Sequence, residues 1–148
     1  MAPKGIINKK PPLQYVYVSW DEVENIVWEL ADEMKRRKYV PDVICGIIRG
    51  GLIPATMLSH ALGIRMITIC VGKVGVNYYD FRGKILLAED INDSGNTLGL
   101  IKRDLSDYDR DIKIRTATLF KKPGSKFKVD FCVRETSDYI VFPWELND

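Results

Sequence analysis

Two adjacent acids, Glu89 and Asp90, follow the apolar residues 85–88 and precede Ile91. Such an apolar run is typical of a buried strand, and two carboxylates at its end carry a desolvation cost. That cost favours a role in ligand binding over a chance placement. A carboxylate accepts hydrogen bonds from two neighbouring hydroxyls, so a vicinal diol is a natural partner for this pair.

The next five residues have the composition of a loop that opens a helix; they are Asp93, Ser94, Gly95, Asn96 and Thr97. Backbone N–H groups at a helix start, two hydroxyls and the helix dipole can together hold a dianionic phosphate. The glycine permits a close approach of the backbone. A simple helix cap would explain Ser94 alone. The whole string of residues 85–97 instead indicates a site for a diol and a phosphate, which suits a ribose 5-phosphate.

A second candidate anion site is Arg49-Gly50-Gly51, which follows the short apolar run at residues 43–48. The arginine offers a guanidinium and the glycines offer exposed amides to an anion. An ordinary turn between a strand and a helix is the plain alternative for these three residues.

The elements that must position these residues alternate along the chain. Apolar runs predict strands at residues 43–48, 66–71, 84–89 and 112–119, and helical periods predict helices at about 19–37, 53–62 and from 96. Short strands broken by turns complete the chain. This alternation predicts a single-domain α/β fold with a doubly wound, mostly parallel sheet, preceded by an N-terminal arm at residues 1–18. Ligands bind such sheets at the carboxyl ends of the strands.

Composition excludes several classes of function. The net charge of +2 is too small to demand a nucleic-acid or membrane partner, and no apolar run approaches the roughly 20 residues of a membrane span. Cys45, Cys70 and Cys132 lack metal-binding spacing, which favours small buried hydrophobes in a reducing cytoplasm. The single histidine, His60, has no neighbours that indicate a triad or a metal site, and we interpret it as structural.

The string of residues 85–97 closely resembles the donor-binding signature of type I phosphoribosyltransferases: aliphatic residues, two acids, a spacer, then Ser/Thr, Gly, any residue and Thr. The resemblance covers about residues 19–146 and implies the fold of that family, with a small C-terminal hood on domain 19–148. It implies that Glu89 and Asp90 bind the ribose hydroxyls of 5-phosphoribosyl-1-pyrophosphate, and that residues 93–97 hold its 5-phosphate. Asn92 departs from the pattern, because relatives usually carry an aliphatic residue there.

The same resemblance assigns the pyrophosphate of the donor to Arg49, Gly50 and Gly51, after a peptide bond, Ile48–Arg49, that is often strained or cis in the family. It implies Mg²⁺ as the cofactor, with Glu145 as a candidate ligand. Residues 72–83, a glycine-bearing segment without a clear period, match a loop that closes over the reacting centre. Within them, Lys73 and Arg82 are best interpreted as solvated surface charges.

The C-terminal segment resembles the 6-oxopurine branch of the family, in which a lysine before proline binds the O6 atom and an aromatic residue covers the ring. Lys122 and Tyr139 match these positions, with Ile140 and Ile91 as further base contacts. A solvated turn and core aromatics are the simpler alternative. The implied reaction converts hypoxanthine, guanine or xanthine to a nucleoside 5-monophosphate in purine salvage, with Asp93 exchanging a proton with N7 of the base.

Two alternatives stay open. The fold also serves nucleic-acid-binding regulators that sense the same donor, and basic clusters at residues 35–38 and 121–128 would suit one. An enzyme for adenine, orotate or uracil is the other. Asp93 and Lys122 favour a cytoplasmic 6-oxopurine enzyme with no nucleic-acid or membrane partner. By resemblance it would form a homodimer or homotetramer.

Overall fold

The structure is a computed structural model that describes residues 14–70 and 82–146. The described residues form, in chain order, β1 (Tyr15–Tyr17), α1 (Trp20–Arg36), β2 (Val43–Ile48), α2 (Leu52–Leu62), β3 (Met66–Cys70), β4 (Lys84–Asn92), α3 (Asn96–Tyr108), β5 (Lys113–Lys121) and β6 (Tyr139–Val141). The predicted alternation of strands and helices is confirmed. Residues 1–13 of the expected arm, residue 71 at the end of a predicted strand and residues 72–81 of the expected loop, including Lys73, lie outside the described residues.

The main sheet of the described residues contains four parallel strands in the order β3-β2-β4-β5. After β2 the chain adds β3 on one side, and β4 then lies on the other side of β2. The carboxyl ends of β2 and β4 are therefore neighbours at the point where the strand order reverses. Ligands of open α/β sheets bind in the crevice at such a point. The topology therefore predicts a ligand site at the ends of β2 and β4.

Helices cover both faces of this sheet, as a doubly wound fold requires. Ile44 and Leu86 point to the face covered by α1 and α2. Cys45 and Leu87, the next residue of each strand, point to the face covered by α3. Because successive side chains of a strand alternate between its faces, the central strands are apolar on both sides, which explains their continuous hydrophobic runs.

Local signals set the helix ends. Ser19 caps α1, because its Oγ accepts a hydrogen bond from the Glu22 amide at 3.1 Å. α2 ends at Gly63, whose φ of 67° is left-handed and favours glycine. α3 starts after Gly95, which has a φ of 87°. The end of α2 at Gly63 and the start of α3 at Asn96 therefore agree with the sequence predictions.

β4 is longer than the sequence predicts. The strand was expected to end at Glu89, but its pairing with β5 continues through Glu89↔Thr118 and Ile91↔Phe120 to Asn92↔Lys121. Both acids are therefore strand residues, not residues of a turn after the strand. The extension follows from β5, which supplies a hydrogen-bonding partner along the whole length of β4.

A second parallel sheet, in which β1 pairs with β6, lies apart from the main sheet. We call this sheet, together with the C-terminal segment after β5, the hood. The Tyr139 amide donates to the Gln14 carbonyl at 2.9 Å, and the Val18 amide donates to the Val141 carbonyl at 2.9 Å. Residues 14–18, which the sequence assigns to the arm, are thus joined to the C-terminal segment. No local pattern could show this, because a three-residue strand depends on a partner at the far end of the chain.

The three cysteines form no disulfide with one another in the described part of the chain. Cys45 is buried, and burial raises the pKa of its thiol to about 12, so it behaves as the expected small hydrophobe. The interpretation is wrong for Cys70, which is exposed at the last position of β3. Among residues 14–70 and 82–146, no helix has the length and apolar character needed to cross a membrane.

Candidate active site

A cavity of about 260 Å³ lies where β2 and β4 end, and we call it the switch-point cavity. Residues from both sequence motifs line it: Arg49, Gly50, Glu89, Asp90, Ile91, Asn92, Asp93, Ser94, Gly95, Thr97 and Leu98. The fold thus brings the arginine-glycine turn and the acidic strand end to one place. Most of the residues predicted to bind the donor share this cavity.

The turn after β2 packs tightly against β4. The Ile48–Arg49 peptide bond is cis, as the resemblance implied. A Cβ added to Gly51 would lie 2.3 Å from the Ala88 carbonyl oxygen, and one added to Gly50 would lie 2.1 Å from Asp90 Oδ2. Real Cβ atoms do not approach other atoms so closely. Gly51 therefore requires glycine, because its neighbours are backbone atoms, whereas a side chain at Gly50 would require the Asp90 carboxylate to shift. The exposed Arg49 borders the cavity from this turn.

The paired acids of β4 are half-buried. Glu89 Oε1 accepts from the Asp90 amide at 3.0 Å, and Asp90 Oδ1 accepts from the Ile91 amide at 2.7 Å. Burial, and then the charge of Asp90, raise the pKa of Glu89 to about 8. Burial also raises the pKa of Asp90. Hydroxyl donors or a cation in the cavity would stabilise the charged forms of both carboxyls.

The loop before α3 has the features of an anion site. Gly95 is the N-cap of α3 and has no side chain to cap the first turn. Ser94 Oγ accepts from the Asn96 amide at 3.2 Å, while Thr97 lines the cavity. First-turn N–H groups and hydroxyls therefore surround one end of the cavity, where the helix dipole favours negative charge. The N-cap is thus Gly95 and not Ser94, so the simple helix cap considered for Ser94 does not apply.

Asn92 fastens the C-terminal segment to this loop. The residue is buried; its Nδ2 donates to the Phe127 carbonyl at 2.8 Å and its Oδ1 accepts from Ser125 Oγ at 2.9 Å. Its backbone carbonyl accepts from the Lys122 amide at 2.9 Å. Phe127 then packs so closely on Gly95 that an added Cβ there would lie 2.5 Å from Phe127 Cβ. The sequence marked Asn92 as a departure from the family pattern but gave no sign of this role.

Asn92→Leu should lower the free energy of unfolding by roughly 2–4 kcal/mol, because it removes two side-chain hydrogen bonds, to the Phe127 carbonyl and from the Ser125 hydroxyl, at a buried position. Urea unfolding would measure the change. Ser125→Ala is the comparison variant: it removes the bond to Asn92 Oδ1 and the contacts of Ser125 Oγ with the Phe127 backbone but keeps the bond from Asn92 Nδ2 to the Phe127 carbonyl, and it should cost about 1–2 kcal/mol. Equal and small losses in the two variants would show that Asn92 does not hold this segment.

Of the residues assigned to the base, Ile91 belongs to β4 and lines the switch-point cavity, whereas Lys122, Tyr139 and Ile140 belong to the C-terminal segment. Lys122 Nζ donates to the Asp138 carbonyl, directly before Tyr139. Tyr139 is 53% exposed and its ring lies 5.2 Å from that of Tyr15, whereas Ile140 is buried. The structure brings Lys122 and Tyr139 to one region, but neither they nor Ile140 line the switch-point cavity. Tyr15 has no motif around it, and only the strand pairing places it here.

Glu145 borders a neighbouring cavity of about 600 Å³, which also has Arg49, Gly50 and Asp90 in its lining. The Glu145 charge contributes to the raised pKa of Asp90, and its Oε2 accepts from the Phe142 amide at 3.1 Å. Within the described residues no three or more His, Cys, Asp or Glu side chains converge on one metal position. Mg²⁺ commonly binds through one or two carboxylates and substrate phosphates, and Asp90 and Glu145 fit that pattern.

Comparison with known proteins decides the family. The family described as "Phosphoribosyl transferase domain" matches residues 76–148. The crystal structure of a purine phosphoribosyltransferase from Pyrococcus horikoshii has 32% sequence identity and a TM-score of 0.76, over 90% of this chain and 96% of that one. This chain belongs to the phosphoribosyltransferase family. As a phosphoribosyltransferase it is a pentosyl-transferring enzyme with the type I fold, which confirms the resemblance and the enzyme class.

Two further relatives of this phosphoribosyltransferase span nearly its whole length. A xanthine-guanine-hypoxanthine phosphoribosyltransferase from Helicobacter pylori has 25% identity and a TM-score of 0.79, over 90% of this chain and 95% of that one. A xanthine-guanine phosphoribosyltransferase from Idiomarina loihiensis is 28% identical over 151 residues, which are 88% of this chain and 87% of that protein.

Proposed function

We propose that this phosphoribosyltransferase transfers the phosphoribosyl group of 5-phosphoribosyl-1-pyrophosphate to a 6-oxopurine base. The products are a nucleoside 5-monophosphate and pyrophosphate, and the role is purine salvage. The observation that carries the proposal is that the turn with Arg49, the half-buried carboxylate pair and the start of α3 all line the switch-point cavity. The names of the relatives support the choice of a purine as the acceptor.

The donor would bind by its three distinct parts. The ribose hydroxyls would donate to Glu89 and Asp90, whose raised pKa values favour partners that stabilise the carboxylate form. Residues 93–97 would bind the 5-phosphate with first-turn amides and hydroxyls. Arg49 and the amides of Gly50 and Gly51 would bind the pyrophosphate.

Departure of pyrophosphate leaves positive charge on the sugar, so the site must neutralise the leaving group. Mg²⁺, when bound, would supply charge neutralisation at the pyrophosphate, and Asp90 and Glu145 are the carboxylates that border the shared cavity. Arg49 would add a fixed positive charge on the same side. Asp93 would exchange a proton with N7 of the base, which allows N9 to attack the sugar carbon.

The acceptor would lie in the hood. Lys122, next to the backbone of Asp138, can donate to the O6 atom of a purine, and the exposed ring of Tyr139 can cover the base. Ile91 and the backbone of Ile140 complete the proposed contacts. We also propose a cytoplasmic homodimer or homotetramer, by analogy with the family, which sedimentation of the purified protein would test.

The decisive experiment combines the donor, Mg²⁺ and one nucleobase at a time, and measures pyrophosphate release. We expect release with hypoxanthine, guanine or xanthine and none with adenine, orotate or uracil. Release with one of the latter three would make this an enzyme for another base. Salt-sensitive RNA or DNA binding, with no release from any base, would instead support the regulator.

Lys122→Ala should lower kcat/KM for the 6-oxopurine by about 10–100-fold, because a hydrogen bond from a charged donor to O6 is lost. The effect should appear in the KM for the base and spare the affinity for the donor. Steady-state kinetics with each substrate varied would measure both. Lys128→Ala, an exposed lysine nearby, is the control. A loss of donor affinity in Lys122→Ala would contradict the assignment to the base.

A further inference from the structure

A large cavity of about 630 Å³ lies at the amino-terminal edge of the main sheet, opposite the switch-point cavity. We call it the amino-edge cavity. Its lining is Arg37, Lys38, Tyr39, Lys84, Lys113, Ile114, Arg115, Asp130 and Phe131. The first residues of β4 and β5 contribute to it, together with the segment after α1. It shares no lining residue with the switch-point cavity, so the proposed catalytic site does not explain it.

The lining of the amino-edge cavity is strongly basic. It contains three lysines or arginines from the sheet, two more from the segment after α1, and a single acid, Asp130. That acid is already engaged: its Oδ2 accepts from the Thr116 amide at 2.8 Å, and its Oδ1 lies 3.7 Å from Arg115. Its backbone carbonyl accepts from Arg37 Nη1 at 2.8 Å. The acid therefore cannot neutralise the remaining positive charge.

Two of these cations repel each other. Lys84 and Lys113 are register partners on the neighbouring strands β4 and β5, so their side chains start from the same face of the sheet. Like charges directly opposite on adjacent strands are destabilising. In the described part of the chain no carboxylate lies within ion-pair distance of either lysine. The nearby acid Asp42 accepts from the Lys84 backbone amide at 2.7 Å.

A hydrogen-bond donor also lacks its acceptor here. The Tyr39 hydroxyl is buried and has no hydrogen-bond partner among the described residues. Burial raises the pKa of Tyr39 to about 12, so the hydroxyl keeps its proton at ordinary pH. A buried donor without an acceptor is uncommon in native proteins, and an oxygen atom of a water molecule or of a bound group can supply the acceptor.

The aromatic rings of the cavity are already covered. Arg37 lies 4.3 Å above the ring of Phe131, and Tyr39 packs against the same ring at 5.2 Å. Phe131 is fully buried, so its ring offers no free surface for a nucleobase. The groups that remain available for binding are ammonium, guanidinium and hydroxyl donors. The volume exceeds what a single phosphate needs and lies within the range of small-molecule sites.

We propose that the amino-edge cavity binds a linear polyphosphate group, held by Lys84, Lys113 and Arg115 and by the Tyr39 hydroxyl. The site is separate from the donor site and does not depend on the proposed base or reaction. The shared chemistry is a chain of phosphates, whether it is free or carried by a nucleoside.

The test is calorimetric titration of the full chain with inorganic tripolyphosphate, without Mg²⁺. The wild-type protein should show two sites. Lys84→Gln/Lys113→Gln should lose one site, with affinity there reduced at least tenfold. Arg49→Ala should weaken the other site and keep the amino-edge site. Lys35→Gln/Lys128→Gln, exposed lysines that line neither cavity, removes the same charge and should retain both sites.

Wild-type stoichiometry and affinity in Lys84→Gln/Lys113→Gln would overturn the proposal. An equal loss in the Lys35/Lys128 control would also overturn it, because the attraction would then be general. Thermal unfolding of Lys84→Gln/Lys113→Gln would show that lost binding does not come from misfolding. Removing the repelling pair should leave Tm unchanged or raised. A parallel titration with ATP identifies the source: two sites for ATP indicate a nucleoside polyphosphate, and two for tripolyphosphate alone indicate a free chain.

Tyr39→Phe provides a second test, in which tripolyphosphate affinity should fall but Tm should not. The variant keeps the ring and its packing but removes the hydroxyl that lacks an acceptor. Tripolyphosphate affinity at the amino-edge site should fall about fivefold to tenfold, while Tm stays the same or rises. Undiminished affinity would remove the hydroxyl from the site, and a fall in Tm would show that it has a structural partner instead.

Discussion

Asp93→Asn should lower kcat by about 10²–10³-fold, because an amide cannot exchange a proton with N7 of the base. Asp93 lines the switch-point cavity between β4 and α3 and is exposed to it, which gives it access to a bound substrate. Asparagine is nearly isosteric, so the loop should keep its shape and the donor should bind with little change. Single-turnover kinetics would report the chemical step, and calorimetry would report the donor Kd.

Asp107→Asn provides the control, since this acid is exposed on α3 and lines none of the cavities at the strand ends. Unchanged turnover in Asp93→Asn would remove Asp93 from proton transfer. A rise in donor Kd that accounts for the whole loss would assign it to the 5-phosphate loop.

Glu89→Gln should weaken donor binding by about tenfold to a hundredfold and, at the same time, stabilise the protein at high pH. The pKa of Glu89 is raised from 4.5 to about 8 by burial and by the charge of Asp90. A carboxyl with a raised pKa in the folded state makes the free energy of unfolding fall as the pH rises from about 4.5 to about 8. Glutamine removes that fall, by roughly 2–4 kcal/mol at pH 8.

Urea unfolding of the wild type and variant at pH 4.5 and pH 8 would measure the combined contribution of Glu89 and its interaction with Asp90, because groups away from this pair titrate equally in both proteins. The two stabilities should be similar at the lower pH and differ at the higher one. Glu24→Gln, at an exposed position of α1, should show no such dependence. A variant that is less stable at pH 8, or that binds the donor as tightly as the wild type, would contradict the role of Glu89.

Those parts of the fold that depend on local chemistry could be predicted from the sequence. Ser19 and Glu22 mark the start of α1, Gly63 marks the end of α2, and the run at Val43–Ile48 is a strand buried on both faces. Each of these signals acts within a few residues, so no knowledge of the tertiary structure was needed. The contiguous string at residues 85–97 located the donor motif for the same reason.

The structural features that the sequence did not predict depend on residues that are distant along the chain. β1 exists because Tyr15 and Tyr17 pair with β6, and β4 extends past Glu89 because β5 lies beside it. Asn92 looked like a departure in a motif, but its function is to hold residues 125–127, which no local pattern could show. The amino-edge cavity was likewise invisible, since its cations come from separate elements.

The absence of a side chain at Gly50 constrains how this sequence can evolve. Any Cβ there would fall 2.1 Å from Asp90 Oδ2, so the side chain missing at position 50 is what leaves room for the carboxylate of Asp90. The two positions are therefore coupled: a mutation to alanine at 50 requires the carboxylate of Asp90 to move from its present position. Selection that keeps this carboxylate in place should also keep the glycine.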